Sequence, residues 1–448
     1  MATNPTRWIR ASDHPSTFDH SADELLARLA DMPAEYEVPY LTVTLDWSVA
    51  GGNPARRTAE ETRRSEPDRD DAGSYRPALN EMEKDLKALI ESHGPRGETY
   101  EALQQSADRI TNWLQTELDP AASGVYIVSH EPTGVFEATG LNLPIDTSVN
   151  LDTVPRLYKL VRLVEDYPTY AILQADQENA TLSFVTHGTR DRSVQLESSL
   201  YPRKQQSGGW SQKRYQKRAD ERIEAFARDT MEAVDRALKD TGVDVLIMAG
   251  SEVMMSALHN AMPERLEDIV FETVRMESVV TPEQKIDQTI PLAEKAERQR
   301  EQESVDRLKN AIGQGNIGAA GASEVIRTLQ NGQVDSLVLC DTFAGNGWAD
   351  YDMHVYGVDN LPTNHPAGGD MTKLVEVDLR DELVRLALSS GAEIDIIHSA
   401  MPVEDNGDVR DADDKFPKTQ AATELEEMGG VGAILRYSMT GDAEPETI

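Results

Sequence analysis

One window of this chain combines residue types suited to handling a phosphate-rich partner. Residues 203–218 read Arg-Lys-Gln-Gln-Ser-Gly-Gly-Trp-Ser-Gln-Lys-Arg-Tyr-Gln-Lys-Arg, which is six positive charges and no acid. The chain as a whole has the opposite bias, with 79 acids against 44 bases and a formal net charge of −35. Such a window, in a chain that places carboxylates nearly everywhere, points to a phosphate backbone, with RNA favoured. Gly208 and Gly209 present no Cβ, so the backbone there can enter a narrow site. Trp210 can stack on a base, and Ser211 adds a hydroxyl beside it. Gln212 offers both a donor and an acceptor and can orient a water. Lys213, Arg214, Lys217 and Arg218 follow at i, i+1, i+4 and i+5 of a helix, which makes one broad cationic face for phosphates. Arg203 and Lys204 add charge ahead of the glycines. The plainer alternative is a Gly-Gly turn before a solvated basic helix. The lack of acids and the tryptophan weigh against it.

Other chemistries find little support. Cys340 is the only cysteine, which excludes an intramolecular disulfide and a multi-cysteine zinc site. Gly313-Gln-Gly315-Asn-Ile-Gly318 has dinucleotide-fingerprint spacing, but a charged helix precedes it where that chemistry needs a strand. No P-loop, H-E-x-x-H or G-x-S-x-G occurs. The nine histidines are scattered. His14 and His20 lie in a polar amino terminus, His354 and His365 in a polar insertion. None has an evident partner, so each reads as an ordinary surface or core residue. No cofactor or metal is implied.

A chain of 448 residues can hold about three domains. Hydrophobic residues make up 39% and aromatics 6%, so aliphatic cores are expected. No run of 18 apolar residues occurs, so no membrane-spanning helix is expected. The amino terminus lacks the apolar stretch of a secretory signal, and the expected location is cytoplasmic. Lysines supply only 13 of the 44 bases. Acids are spread along the whole chain and form no tail. This composition suits a very salty cytoplasm, where the screening length falls to about 3 Å at 1 M salt.

Three blocks emerge, at 1–150, 151–296 and 297–448. In the first, Tyr40–Leu45 alternates as a strand, 47–78 reads as a long mobile loop, and Leu79–His93 and Tyr100–Leu118 have helical spacing. Gly124–Val128 is a strand, and Asp152–Val164 is read as a helix crossing into the second block. That block has a strand pair, Tyr170–Gln174 and Ala180–Val185, a long helix Gln212–Lys239, and a strand Val243–Met248. A charged helix, Pro282–Lys309, leads to the third block. There Ala322–Gln330 and Leu379–Ser390 read as helices, and Ser336–Cys340 and Ile394–His398 as strands. Residues 342–372 read as an insertion. Strands alternating with helices indicate an α/β chain.

At Gly208-Gly209-Trp-Ser211-Gln-Lys-Arg214-Tyr215 the sequence resembles the Gly-Gly-Gln loop of the archaeo-eukaryotic class I peptide release factors. The glycines, Ser211, Arg214 and Tyr215 fall in register with that loop. Trp210 takes the glutamine position, and a glutamine follows two residues later as Gln212. Gly429–Tyr437 is similar to the family's carboxy-terminal ending, and Gly391–Ile397 to the strand before it. The stop-codon-reading Asn-Ile-Lys-Ser motif is absent from the first block. The chain therefore looks more like the divergent bacterial and haloarchaeal branch, related to ribosome-quality-control peptidyl-tRNA hydrolases.

The resemblance implies a three-domain architecture with a ribonuclease-H-like middle domain and an α/β carboxy-terminal domain. It implies the ribosome as partner, with the loop reaching the large-subunit peptidyl-transferase centre through the A site and contacting tRNA and rRNA. It also implies a translational GTPase as a further partner. In that setting Gly208, Gly209 and Gln212 would serve catalysis, hydrolysing the peptidyl-tRNA ester. Trp210, Ser211, Lys213, Arg214, Lys217, Arg218, Arg203 and Lys204 would hold RNA. The alternative is a non-catalytic A-site-binding rescue or hibernation factor.

Overall fold

The computed structural model describes residues 8–13, 21–47, 76–94, 97–119, 122–141, 143–166, 170–177, 179–186, 189–197, 212–239, 243, 245–275, 282–315, 317–400 and 418–437. In chain order the elements begin with β1 (Trp8–Asp13), α1 (Ser21–Ala30), β2 (Tyr40–Asp46), α2 (Arg76–His93), α3 (Glu98–Thr116), β3 (Gly124–His130), β4 (Val135–Leu141), β5 (Ser148–Asp152) and α4 (Tyr158–Asp166). Next come β6 (Tyr170–Ala175), β7 (Asn179–Thr186), β8 (Thr189–Glu197), α5 (Gln212–Leu238), β9 (Leu246–Gly250), α6 (Glu252–Asn260), α7 (Glu264–Glu267), β10 (Val270–Arg275) and α8 (Pro282–Gly315). The chain continues with β11 (Gly318–Ala320), α9 (Ala322–Gln330), β12 (Val334–Cys340), β13 (Asn346–Asp350), β14 (Val355–Val358), β15 (Val375–Asp378), α10 (Leu379–Ser389), β16 (Glu393–Ile397), α11 (Gln420–Glu427) and β17 (Val431–Leu435). The class is mixed α/β, in more than one compact unit.

One unit comprises residues 20–166 and 300–448. Its amino-terminal part is an antiparallel sheet of order β4-β3-β2-β5. Leu41, Val43 and Ile127 on one face pack beneath Met82 and Leu86 of α2 and Ile110 of α3. Each such side chain, fully buried, contributes about 1.5–3 kcal/mol. On the other face Tyr126 is 1% exposed, and its hydroxyl donates to the Arg156 carbonyl at 2.7 Å. The helix read from Asp152 starts later, at Tyr158. Asp152 instead ends β5, and Pro155 disfavours helical geometry in the residue before it.

The carboxy-terminal part has two sheets. β11-β17-β12-β16 is the larger, with β12 and β16 parallel. The stretch read as a polar insertion contains much of the second sheet, of order β14-β13-β15. Gly357 of β14 leaves room for the Trp348 ring of β13, since a Cβ on Gly357 would lie 2.1 Å from that ring.

The other unit comprises residues 1–19 and 167–299. Its sheet runs β1-β8-β7-β6-β9-β10. β6, β7 and β8 form an antiparallel meander, while β6, β9 and β10 run parallel. Leaving β1 aside, this is the 3-2-1-4-5 order of a ribonuclease-H-like sheet. Ile223, Phe226, Ala227, Met231, Val234 and Leu238 recur at three- and four-residue spacing along α5 and join the core made with Leu173 and Met248. Tyr170, Ile172 and Ile247 form a second core with Ala293 and Ala296 of α8. β6 and β9 end so close together that a Cβ on Gly250 would lie 2.1 Å from the Ala175 carbonyl oxygen.

Candidate functional site

The basic window straddles the start of α5. Arg203, Lys204, Gly208, Gly209, Trp210 and Ser211 lie outside the described residues. Gln212 is the first residue of α5, and Lys213, Arg214, Lys217 and Arg218 occupy its first two turns. The backbone thus gives the four cationic positions the helical spacing expected of them. At 100° per residue, positions 214, 217 and 218 fall on the side of the helix axis away from the Ile223–Leu238 stripe. Position 212 falls on the line of that stripe. The helix has no acidic residue in its first turn, the end at which backbone amides lack partners within the helix. One turn further on, Arg222 is exposed beside the buried Ile223.

Two histidines prove to have carboxylate partners the sequence did not reveal. His365 Nε2 lies 2.9 Å from Asp350 Oδ2, and both side chains are 2% exposed. The Ala367 amide donates to His365 Nδ1 at 3.1 Å, so the proton sits on Nε2 and is donated to the carboxylate. Asp350 Oδ1 also accepts the Met353 amide. Burial pushes the Asp350 carboxyl up, but these donors outweigh it and hold it below the ordinary value. His398 Nδ1 pairs with Glu301 Oε1 at 2.6 Å, fixing the end of β16 to α8. The expectation that no histidine has a partner is corrected here. The partners are 15 and 97 residues away in sequence, beyond any local pattern. Cys340 is buried and free, as a small core residue should be. Burial, first among the causes, pushes its thiol up, which argues against a nucleophile.

A second polar cluster lies in the other unit. Arg156 pairs with Asp152 at 2.7 Å, Asp378 at 3.2 Å and Asp381 at 3.6 Å. Burial pulls the guanidinium down, but these three carboxylates outweigh it and hold its pKa above the ordinary value. Asp378 caps α10 by accepting the Arg380 and Asp381 amides. Asp381 in turn accepts the Leu157 and Tyr158 amides at the start of α4. Desolvation raises its carboxyl to about 6. A narrow cleft of about 20 Å³ opens beside these groups. Its acids are already engaged with backbone amides and Arg156, so the cluster reads as a joint. Among the described residues, no group of three or more His, Cys, Asp or Glu side chains is placed to hold a metal ion. No helix among them is long and apolar enough to cross a membrane.

A mixed α/β chain with a five-strand ribonuclease-H-like sheet and a basic helix start matches known proteins along most of its length. Residues 155–301 match the family described as bacterial archaeo-eukaryotic release factor family 10. The chain is 21% identical over 368 residues to peptide chain release factor subunit 1 of Archaeoglobus fulgidus, covering 75% of this chain and 83% of that protein. It is 23% identical over 322 residues to the same-named protein of Picrophilus torridus, covering 66% and 71%. Among solved structures, the archaeal translation termination factor aRF1 aligns over 94% of this chain and 98% of its own, at 16% identity and a TM-score of 0.23. Ribosome-bound archaeal Pelota, solved with ABCE1, aligns over 71% and 78%, at 15% identity and a TM-score of 0.38. Residues 155–301 are thus similar to the archaeo-eukaryotic release factors, and the longer alignments are to peptide chain release factors.

Proposed function

We propose that this protein is a cytoplasmic, ribosome-associated factor that hydrolyses the peptidyl-tRNA ester on stalled ribosomes or free large subunits. The observation that carries this reading is the acid-free window 203–218, which leads into α5 of a chain with net charge −35. Matches to peptide chain release factor subunit 1 support the setting in translation. Ester hydrolysis needs a positioned water and a donor for the developing oxyanion. In this reading Gly208 and Gly209 let the backbone approach the ester, and Gln212 orients the water. Trp210 packs on RNA beside Ser211. Lys213, Arg214, Lys217 and Arg218 hold phosphates, with Arg203 and Lys204 on the approach. A translational GTPase completes the proposed set of partners. The division of labour is the 1–150, 151–296 and 297–448 one, with the chemistry in the middle block. The spread of acids fits a salt-rich cytoplasm of the haloarchaeal kind.

The test is single-turnover release from peptidyl-tRNA, alone and on cognate ribosomes at molar KCl. The wild-type chain releases peptide. Gln212→Ala does not, while ribosome binding stays within about twofold, as expected when an interaction made only in the transition state is removed. Equal release by the variant overturns the role of Gln212. One specific observation favours a second reading: Trp210 stands where the related loop carries glutamine. A non-catalytic factor that fills the A site during rescue or hibernation binds ribosomes tightly and releases nothing in this assay.

A further inference from the structure

The outermost strand of the ribonuclease-H-like sheet comes from the far end of the chain. β1 pairs antiparallel with β8 in the register Trp8↔Leu196, Ile9↔Gln195 and Arg10↔Val194. The register then shifts before Ser12↔Ser193 and Asp13↔Arg192, a bulge that leaves one residue of the strand out of the ladder. β7 covers β8 along its other side from Thr189 to Glu197, whereas β1 covers only Arg192–Leu196. The remainder of this unit is continuous, at 167–299, while the chain after β1 leads to α1 in the other unit. Without β1, the edge of β8 would present a row of unpaired backbone donors and acceptors, a template for any extended segment.

We propose that the β8 edge is a strand-acceptor site, filled within the chain by residues 8–13 and open to the same strand of a second copy. The ladder is made by backbone groups, so a donor strand from another molecule satisfies it equally well. Among the described residues β1 pairs with β8 alone, so its exchange breaks no other ladder. Residues 14–20 can extend about 25 Å, enough for the strand to leave its own sheet for a neighbour's. Exchange of an identical element between copies is a low-cost route to a dimer. The charge of −35 opposes the approach of two copies, and salt screens that repulsion. Exchange therefore grows with ionic strength as well as with protein concentration. This inference is independent of the hydrolytic reading, since it concerns self-association alone.

The test uses two full-length chains, one carrying Trp8→Cys and the other Leu196→Cys, each with Cys340→Ser. Strand exchange places the two cysteines opposite each other across the ladder, so mild oxidation yields a disulfide-linked heterodimer that reductant reverses. Moving the donor cysteine by one residue, Ile9→Cys in place of Trp8→Cys, sets it opposite Gln195 and on the other face of the ladder from Leu196→Cys, so the heterodimer yield falls several-fold. A chain carrying both cysteines closes on itself when dilute. A heterodimer yield that Ile9→Cys matches, or no heterodimer at millimolar protein in molar KCl, overturns the proposal.

Discussion

Asp381, in the first turn of α10, accepts the backbone amide of Tyr158, 223 residues earlier in the chain, at 2.9 Å. The same oxygen accepts the Leu157 amide, and the other faces Arg156. Meanwhile Arg156 reaches Asp378, the cap of α10. The start of α4 is thus closed by a group from the other side, while the cap of α10 is held by Arg156. Tyr158 adds the Arg380 guanidinium over its ring at 4.0 Å. The amino-terminal and carboxy-terminal parts of this unit are fastened at backbone level, without relying on charge pairing alone.

Replacing Asp381 therefore separates two effects. Asp381→Ala leaves two amides without their acceptor and removes one of the three carboxylates around Arg156, and should cost about 2–4 kcal/mol. Asp381→Asn keeps an oxygen for the amides and should cost about half as much. Urea unfolding of the full-length chain, followed in the transition of this unit, checks the order. Equal midpoints for the two variants would contradict it.

The same residue makes a pH prediction. Its carboxyl is held at about 6 by desolvation, whereas an unfolded aspartate releases its proton near 3.9. Between those values the folded chain binds the extra proton, so this group's contribution to stability falls as pH rises from about 4 to about 6. Glu424 and Glu426, lowered by donors from Gln420 and Lys418 first, act oppositely and lose their contribution as pH falls through the acid range. Asp381→Asn should remove the decline between pH 4 and 6 and leave the acid limb unchanged. Unfolding midpoints across pH 3–8 measure both.

His365→Ala leaves Asp350 buried at 1% exposure without its side-chain donor. A loss of about 1–3 kcal/mol is expected, concentrated in the sheet formed by β13, β14 and β15. Amide exchange at Ala349 and Tyr356 should accelerate while exchange in β12 holds. Nitrogen chemical shifts of the wild-type imidazole should report the proton on Nε2.

Gly250→Ala tests the close approach at the ends of β6 and β9. The added methyl would sit 2.1 Å from the Ala175 oxygen and 2.8 Å from the Met255 methyl. Forcing those strand ends apart should cost about 1–3 kcal/mol, read in the transition of the ribonuclease-H-like unit.

The cationic positions of α5 make an electrostatic prediction. Lys217→Ala with Arg218→Ala should reduce the slope of log affinity against log salt for ribosomal RNA by about 1 per charge removed. Titration at several KCl concentrations gives the slope. An unchanged slope would detach these residues from phosphate.

Where a segment's pattern is local, it was legible in the sequence. α9 has the bounds its periodicity predicts, and α2, α3 and α5 fall within a few residues of theirs. β4, β5 and β10 are half-buried throughout or nearly so and lack clean alternation, so nothing marked them as strands. β13 and β14 carry Asn, Gly and Asp, which read as loop, yet pair, with Gly357 making room for Trp348. β1 is invisible because its partner is a strand about 190 residues away. The basic window was legible as composition, and the helix that carries its second half as periodicity. The buried pairs His365–Asp350 and Glu301–His398 were not, because only folding sets those residues side by side.

The unit built from residues 20–166 and 300–448 has a consequence for how the chain is made. During synthesis the start of α4 emerges long before the residues that close it. At about 5–20 residues per second, Asp381 follows Tyr158 after about 10–45 s. For that interval the Leu157 and Tyr158 amides have only water for partners. The intervening residues 167–299, with β9 and the first half of α8 among them, can meanwhile settle their own sheet. A nascent chain halted before residue 381 thus carries an unfinished first half, and the last third of the message supplies its closure.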